Sequence, residues 1–199
     1  MAVKVCVLAS GGGTNLQALI DYNSSLRGAA ASEIVLVASN RATAGALDRA
    51  RAASIATEVF DPADDGASLL ALLRSHDVGL IVLAGYLKRL PLSVTAAYHR
   101  RIINIHPGLL PDFGGAGMYG ARVHSAVIAS GARTTGVTVH FVDDEYDHGP
   151  RIAEWRIPVR ENDTPESLGA RVLEVEHIVF PRIVEMVASL NDRDFFADY

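Results

Sequence analysis

The chain has 199 residues, with 18 lysines and arginines against 23 aspartates and glutamates, and a formal net charge of −5. A chain of this length, 49% hydrophobic, is typical of one globular domain that buries roughly 70% of its unfolded surface. The acidic balance argues against nucleic acid as a partner, because phosphate contacts need clustered basic residues. We therefore expect a small-molecule partner. No stretch approaches the ~20 apolar residues of a membrane span, so we expect no membrane association.

The single cysteine, Cys6, excludes an intramolecular disulfide and favours a reducing compartment. Its place in an apolar run predicts a core residue. The N-terminus leads directly into a strand-like run without a signal-peptide pattern. We therefore expect a cytoplasmic protein that needs neither a disulfide nor a metal for stability.

Short β-branched apolar runs alternate with helical stretches along the first half of the chain, which favours an α/β fold with a Rossmann-like, mostly parallel sheet flanked by helices. The predicted elements in chain order are strand 3–9, helix 15–26, strand 33–38, helix 44–53, strand 57–60, helix 67–75, strand 79–84, a short helix after Pro91 and strand 102–105.

The second half follows another pattern. Residues 135–142 alternate with period two, and residues 151–159 do so more weakly, which predicts an antiparallel strand pair at one side of the sheet. Residues 164–167 are typical of a helix start, and that helix is predicted to run toward Ala188. Residues 191–199 are predicted to be a tail. We detect no linker or repeat, so one domain is expected over the whole chain.

A glycine-rich turn follows the first predicted strand. Gly11, Gly12 and Gly13 precede Thr14, which comes directly before the next predicted helix. Glycines allow a ligand to approach the backbone, and free N–H groups at a helix start suit a phosphate. Neither a P-loop lysine nor the third glycine of a dinucleotide fingerprint is present. A tight structural turn also fits this pattern, but the position at the carboxyl edge of the sheet favours phosphate contact.

A polar pair marks the end of the predicted strand 102–105. Alternation places Asn104 and His106 on one face, with His106 at the carboxyl end of the strand. Such a histidine is either structural or a candidate catalyst beside the glycine turn. The acidic segment 143–147 lacks the spacing of a calcium loop, and one of its carboxylates could orient a histidine. No zinc motif occurs, so no metal site is expected.

Four segments together resemble the phosphoribosylglycinamide formyltransferases, the folate-dependent enzymes of purine synthesis. They are residues 10–18 (SGGGTNLQA), 83–90 (LAGYLKRL), 104–111 (NIHPGLLP) and 136–147 (GVTVHFVDDEYD). The third segment is shared by the wider formyltransferase group, whereas the glycine turn and the compact length indicate the glycinamide member.

The resemblance implies a formyltransferase fold, with a phosphate-binding N-terminal half and a folate-binding, catalytic C-terminal half. It implies 10-formyltetrahydrofolate as cosubstrate, glycinamide ribonucleotide as acceptor, no metal, and a monomer or homodimer. The implied catalytic residues are Asn104, His106 and Asp147. The phosphate and ribose would be bound by Gly13, Thr14, Asn15 and Glu176. The folate would be bound by Leu87, Lys88, Arg89, Leu90, Asn104, Asp143, Asp144, Glu145, Tyr146 and Asp147.

The chain departs from the commonest family pattern at three places. Gly108 stands where serine is frequent, residues 112–120 are glycine-rich, and residues 60–66 lack an arginine that some relatives place near the folate. Lys88 or Arg89 could substitute for that arginine.

Three other functions share parts of the pattern. A deformylase of the same folate carries an extra N-terminal domain, and the initiator-tRNA formyltransferase carries an extra C-terminal domain and a basic surface. A non-catalytic phosphate-binding module of the same fold would keep Asn104 and His106 as structural residues.

Overall fold

A computed structural model describes residues 1–190, and the tail predicted for residues 191–199 lies outside the described residues. The elements in chain order are β1 (Val3–Leu8), α1 (Thr14–Ser25), β2 (Ser32–Ser39), α2 (Gly45–Ala52), β3 (Ala56–Val59), α3 (Ala67–Ser75), β4 (Leu80–Leu83), α4 (Leu92–Ala97), β5 (Ile102–His106), α5 (Ala121–Ala129), β6 (Thr134–Phe141), β7 (Arg151–Pro158) and α6 (Pro165–Ser189). Among residues 1–190, no helix combines the length and apolar character needed to cross a membrane.

The strands form one sheet in the order β3-β2-β1-β4-β5-β6-β7. The first five strands pair in parallel, whereas β6 pairs antiparallel with both β5 and β7. The predicted α/β class, with a mostly parallel sheet and an antiparallel pair toward the C-terminus, is confirmed.

Helix α5 is an element that the sequence patterns did not predict. It follows the glycine-rich run and begins after Gly120 without a side-chain cap, so the usual start signal is missing. Its apolar residues Val123 and Val127, four positions apart, are fully buried and carry the helical period that could have indicated it.

The core lies on both faces of the sheet. Side chains alternate along β1, so that Val5 and Val7 pack toward α1, α5 and α6, while Cys6 and Leu8 pack toward α3 and α4. Cys6 is fully buried, as predicted, and burial raises the pKa of its thiol. Because β1, β4 and β5 run parallel, the loops that follow them meet at one edge of the sheet.

Candidate active site

A cavity of about 760 Å³ lies at the carboxyl edge of the sheet. Its walls come from the loop after β4, the end of β5, the glycine-rich loop before α5, the loop after β6, and α6. The predicted site residues on these walls are Asn15, Leu87, Lys88, Arg89, Leu90, Asn104, His106, Glu145, Tyr146, Asp147 and Glu176. Four other predicted residues, Gly13, Thr14, Asp143 and Asp144, are outside the lining.

His106 and Asp147 form an ion pair on the cavity wall. Nδ1 of His106 lies 3.4 Å from Oδ2 of Asp147, and the histidine is 3% exposed. On the other side of the ring, Nε2 lies 2.8 Å from the carbonyl oxygen of Phe113. Both ring nitrogens therefore face an acceptor oxygen, and the doubly protonated imidazolium is the form that satisfies both contacts.

Asp147 is held as a carboxylate by its surroundings. Burial alone would raise its pKa, but the contacts with His106 and His140, the charge of His106 and the N–H of Gly115 together lower the pKa well below its usual value. The Gly115 N–H donates to Oδ2 at 2.9 Å. Asp147 therefore presents a fixed negative charge to Nδ1 of His106.

The other two aspartates of the acidic loop have different partners. Oδ2 of Asp143 lies 2.8 Å from Nδ1 of His148, whose side chain is exposed, and this contact raises the pKa of His148. Asp144 accepts a hydrogen bond of 2.8 Å from the Thr95 hydroxyl. Of the three aspartates that the sequence left as alternatives, Asp147 is the one paired with His106.

The glycine-rich loop, residues 112–120, contributes main-chain atoms to this pair through Phe113 and Gly115. The loop can approach this closely because Gly114 has no side chain. A Cβ atom at this position would lie 3.0 Å from Cβ of Asp147 and would overlap the side chain of Leu110. Sequence reasoning left the role of this loop open. In the structure it holds both members of the ion pair.

His140 is a site residue that the sequence prediction missed. Its Nδ1 lies 2.8 Å from the Phe141 carbonyl, which only accepts, so Nδ1 carries a proton. In neutral His140 the lone pair is therefore on Nε2, which lies 3.1 Å from Nδ2 of Asn104 and 3.6 Å from Oδ1 of Asp147. The antiparallel register places Asn104 directly opposite His140, so the missing signal was the pairing of β5 with β6.

His124, on the unpredicted helix α5, is a second missed residue of the cavity wall. It is 6% exposed, and its Nδ1 has no hydrogen-bond partner among the described residues. Burial lowers its pKa, and the nearby charge of His106 lowers it further. Its ring packs on Gly169, where a Cβ atom would lie 2.8 Å from Cδ2 of the histidine.

The glycine turn after β1 has free N–H groups. Helix α1 begins after Gly13, which is left-handed with φ 73° and gives no side-chain cap. No acceptor among residues 1–190 pairs with the N–H groups of Gly12, Gly13 or Thr14. Unsatisfied N–H groups at a helix start form a favourable site for an anion.

Asn15 and Glu176 connect this turn to the cavity wall. Nδ2 of Asn15 donates to Oε2 of Glu176 at 2.5 Å, which joins α1 to α6. Burial raises the pKa of Glu176, although the Asn15 hydrogen bond and the charge of His106 act in the opposite direction. Within residues 1–190, no group of three His, Cys, Asp or Glu side chains is arranged to hold a metal ion.

Comparisons with known proteins agree with this arrangement. The chain is 43% identical over 188 residues to the chloroplastic phosphoribosylglycinamide formyltransferase of Vigna unguiculata, an alignment that covers 92% of this chain and 60% of that protein. It is 34% identical over 196 residues to the phosphoribosylglycinamide formyltransferase of Bacillus subtilis (strain 168), covering 96% and 97%. The crystal structure of the Brucella melitensis phosphoribosylglycinamide formyltransferase has a TM-score of 0.85 at 38% identity, covering 95% and 97%.

The chain thus spans about 60% of the length of the plant relative and nearly the full length of the two bacterial ones. A family model described as formyl transferase matches residues 3–184, a range that includes every side chain discussed above. The protein therefore belongs to the formyl transferase family.

Proposed function

We propose that the protein transfers the formyl group of 10-formyltetrahydrofolate to the amine of glycinamide ribonucleotide, a step of purine biosynthesis. The observation that carries the proposal is the His106–Asp147 ion pair, which lies beside Asn104 in a cavity that Asn15 and Glu176 also line. The relatives named as phosphoribosylglycinamide formyltransferases support this choice of substrates.

The reaction begins when the neutral amine of the glycinamide attacks the formyl carbon. The carbonyl π electrons move to oxygen, so the tetrahedral intermediate carries an oxyanion and a cationic nitrogen. Nε2–H of His106 donates to this oxyanion in place of the Phe113 carbonyl that it contacts in the structure. Removing one such donor typically lowers turnover by about 100-fold to 1000-fold.

Collapse of the intermediate breaks the bond between the formyl carbon and the folate nitrogen. The departing nitrogen must gain a proton, and the His106 imidazolium, paired with Asp147, is the candidate acid. The attacking nitrogen, which is cationic in the intermediate, loses one proton to His106 or to water. Asn104, fixed by its contact with His140, supplies a further hydrogen bond to the oxyanion.

The two substrates would bind to different residues of the cavity lining. The free N–H groups of the glycine turn support phosphate binding by Gly13 and Thr14. These two residues directly precede Asn15, which lines the cavity. Glu176 would contact the glycinamide ribonucleotide, and the folate would lie along residues 87–90 and 145–147. Asp143 and Asp144, bonded to His148 and Thr95, would act on folate binding through the shape of their loop.

Four further expectations remain predictions. These are the single domain over residues 1–199, the absence of a metal requirement, a monomeric or homodimeric state, and a cytoplasmic location. The last rests on the lone Cys6, and the Vigna relative is named as a chloroplastic protein.

The decisive experiment measures deformylated folate spectrophotometrically, with 10-formyltetrahydrofolate in the presence and absence of glycinamide ribonucleotide. Product that forms only with the amine supports the transferase. Product without the amine would make the protein a deformylase, and no product despite ligand binding would favour a non-catalytic module.

The His106→Ala variant tests the catalytic assignment. We expect kcat to fall by at least about 100-fold, with KM for glycinamide ribonucleotide within about threefold of the wild type. His148→Ala is the matched control, because this histidine pairs with a carboxylate of the same loop but is exposed. Normal turnover of His106→Ala would remove His106 from the mechanism.

A further inference from the structure

Two hydrogen bonds from α2 hold the glycine turn. The Ala46 N–H donates to the Gly11 carbonyl at 3.1 Å, and Nε of Arg49 donates to the Gly12 carbonyl at 2.7 Å. The contact is close, since a Cβ atom at Gly13 would lie 2.7 Å from Cα of Ala46. The turn is therefore seated on the first turns of α2.

These two bonds determine which way the free N–H groups face. In a planar trans peptide the carbonyl and the following N–H point in opposite directions. Because the carbonyls of Gly11 and Gly12 are directed at α2, the N–H groups of Gly12 and Gly13 are directed away from it. Successive N–H groups oriented to one side form a concave anion site.

Arg49 also brings a positive charge that no acidic side chain neutralises. Its Nη1 donates to Oε1 of Gln17 at 3.2 Å, and within residues 1–190 no carboxylate lies within 4.0 Å of its guanidinium. The neighbouring Arg51, in contrast, pairs with Asp48 at 2.8 Å. Burial lowers the pKa of His177 on α6, and the charge of Arg49 lowers it further, so this charge also reaches α6.

We propose that Arg49 is a positioning residue for the substrate's phosphate: its Nε–H orients the peptide between Gly12 and Gly13, and its unpaired charge attracts a phosphate dianion. Arg49 is outside the cavity lining, so it acts through the turn and through its field. This inference rests on the phosphate-binding part of the proposed function and applies to any phosphate monoester seated on the turn.

The test compares Arg49→Gln with Arg51→Gln, its neighbour on the same helix. For Arg49→Gln we expect KM for glycinamide ribonucleotide to rise by about tenfold to 100-fold, while kcat and KM for 10-formyltetrahydrofolate stay within about threefold. Arg51→Gln should match the wild type in all three. The inference is overturned if the two variants have the same KM, or if Arg49→Gln lowers kcat and raises both KM values together, as a general distortion would.

A second variant covers the case in which Arg49→Gln does not fold. Arg49→Lys keeps the charge but cannot bridge Gly12 and Gln17 with a planar fork, so its KM for glycinamide ribonucleotide should lie between those of the wild type and Arg49→Gln, several-fold above the wild type. An unchanged KM in a folded Arg49→Lys would refute the orienting role of Nε–H.

Direct binding separates this inference from the proposed reaction. Calorimetry with ribose 5-phosphate as the probe should show binding to the wild type and at least about tenfold weaker binding to Arg49→Gln. If the wild type binds the probe in an Arg49-dependent way but transfers no formyl group, the proposed reaction fails and the role of Arg49 stands. If turnover is normal and the probe binds both proteins equally, the role of Arg49 is refuted while the reaction stands.

Discussion

Replacement of Asp147 by asparagine is the sharpest test of the site, because it removes one charge and almost no volume. In the variant, one amide oxygen can still accept from the Gly115 N–H, and the amide NH₂ would face His140, whose neutral form offers a lone pair on Nε2. We therefore expect Asp147→Asn to fold. What it loses is the negative charge 3.4 Å from Nδ1 of His106.

The size of the effect follows from that distance. At an effective dielectric constant of about 20, two unit charges 3.4 Å apart attract each other by about 5 kcal/mol. Part of this attraction offsets the cost of burying both groups, and the Phe113 carbonyl still accepts from Nε2 in the variant. The expected net loss is about 3 to 4 kcal/mol in the transition state, which is a fall of about 100-fold to 1000-fold in kcat/KM.

The assay is amine-dependent deformylation of 10-formyltetrahydrofolate across a range of pH, with Asp143→Asn as the matched control. Asp143 is four residues away and pairs with exposed His148, where charge pairs contribute little. The kcat of this variant should therefore stay within about threefold of the wild type, with any change confined to KM for the folate. We expect Asp147→Asn alone to flatten the acid limb of the pH profile. Equal losses in both variants, or an unchanged profile for Asp147→Asn, would refute the argument.

Three further outcomes follow from the structure. Because the pKa of Asp147 is lowered, the wild type should be more stable than Asp147→Asn at neutral pH, and urea unfolding should show this difference shrinking as pH falls below the ordinary carboxyl value of about 4. The Gly13→Ala variant would hold an alanine in the left-handed conformation, with its Cβ atom 2.7 Å from Cα of Ala46. Urea unfolding should show a loss of at least about 1 kcal/mol of stability, and KM for glycinamide ribonucleotide should rise more than KM for the folate. Glu185→Ala removes the carboxylate that accepts from the Ser32 hydroxyl at 2.8 Å; it should lower the free energy of unfolding by about 1–3 kcal/mol with unchanged kcat, and a fall in kcat would contradict a purely structural role.

Local patterns in the sequence predicted most of the secondary structure. Each predicted strand and helix lies within one residue of the observed bounds where bounds were predicted, because periodicity and the residues at element ends act over a few positions. Helix α5 was missed because Gly120 offers no capping side chain.

The same local rules explain how much of the site was predicted. Period-two alternation was enough to place Asn104 and His106 together, and both line the cavity. The choice of Asp147 over Asp143 and Asp144 depended on the family resemblance, since the spacing of three aspartates in one loop does not determine which one faces a histidine. The loop conformation, with Asp147 left-handed at φ 55°, makes that choice.

The sequence by itself determined the α/β class, the glycine turn at a helix start, and the amide and imidazole on one strand, because these depend on neighbours along the chain. Only the tertiary structure decided the contacts of His106 with Asp147 and Phe113, the pairing of Asn104 with His140, and the seating of the glycine turn on α2. Several of these contacts use main-chain atoms, which every residue type carries, and the others join residues distant in sequence. Strand register and loop closure bring such groups together, and neither leaves a local pattern in the sequence.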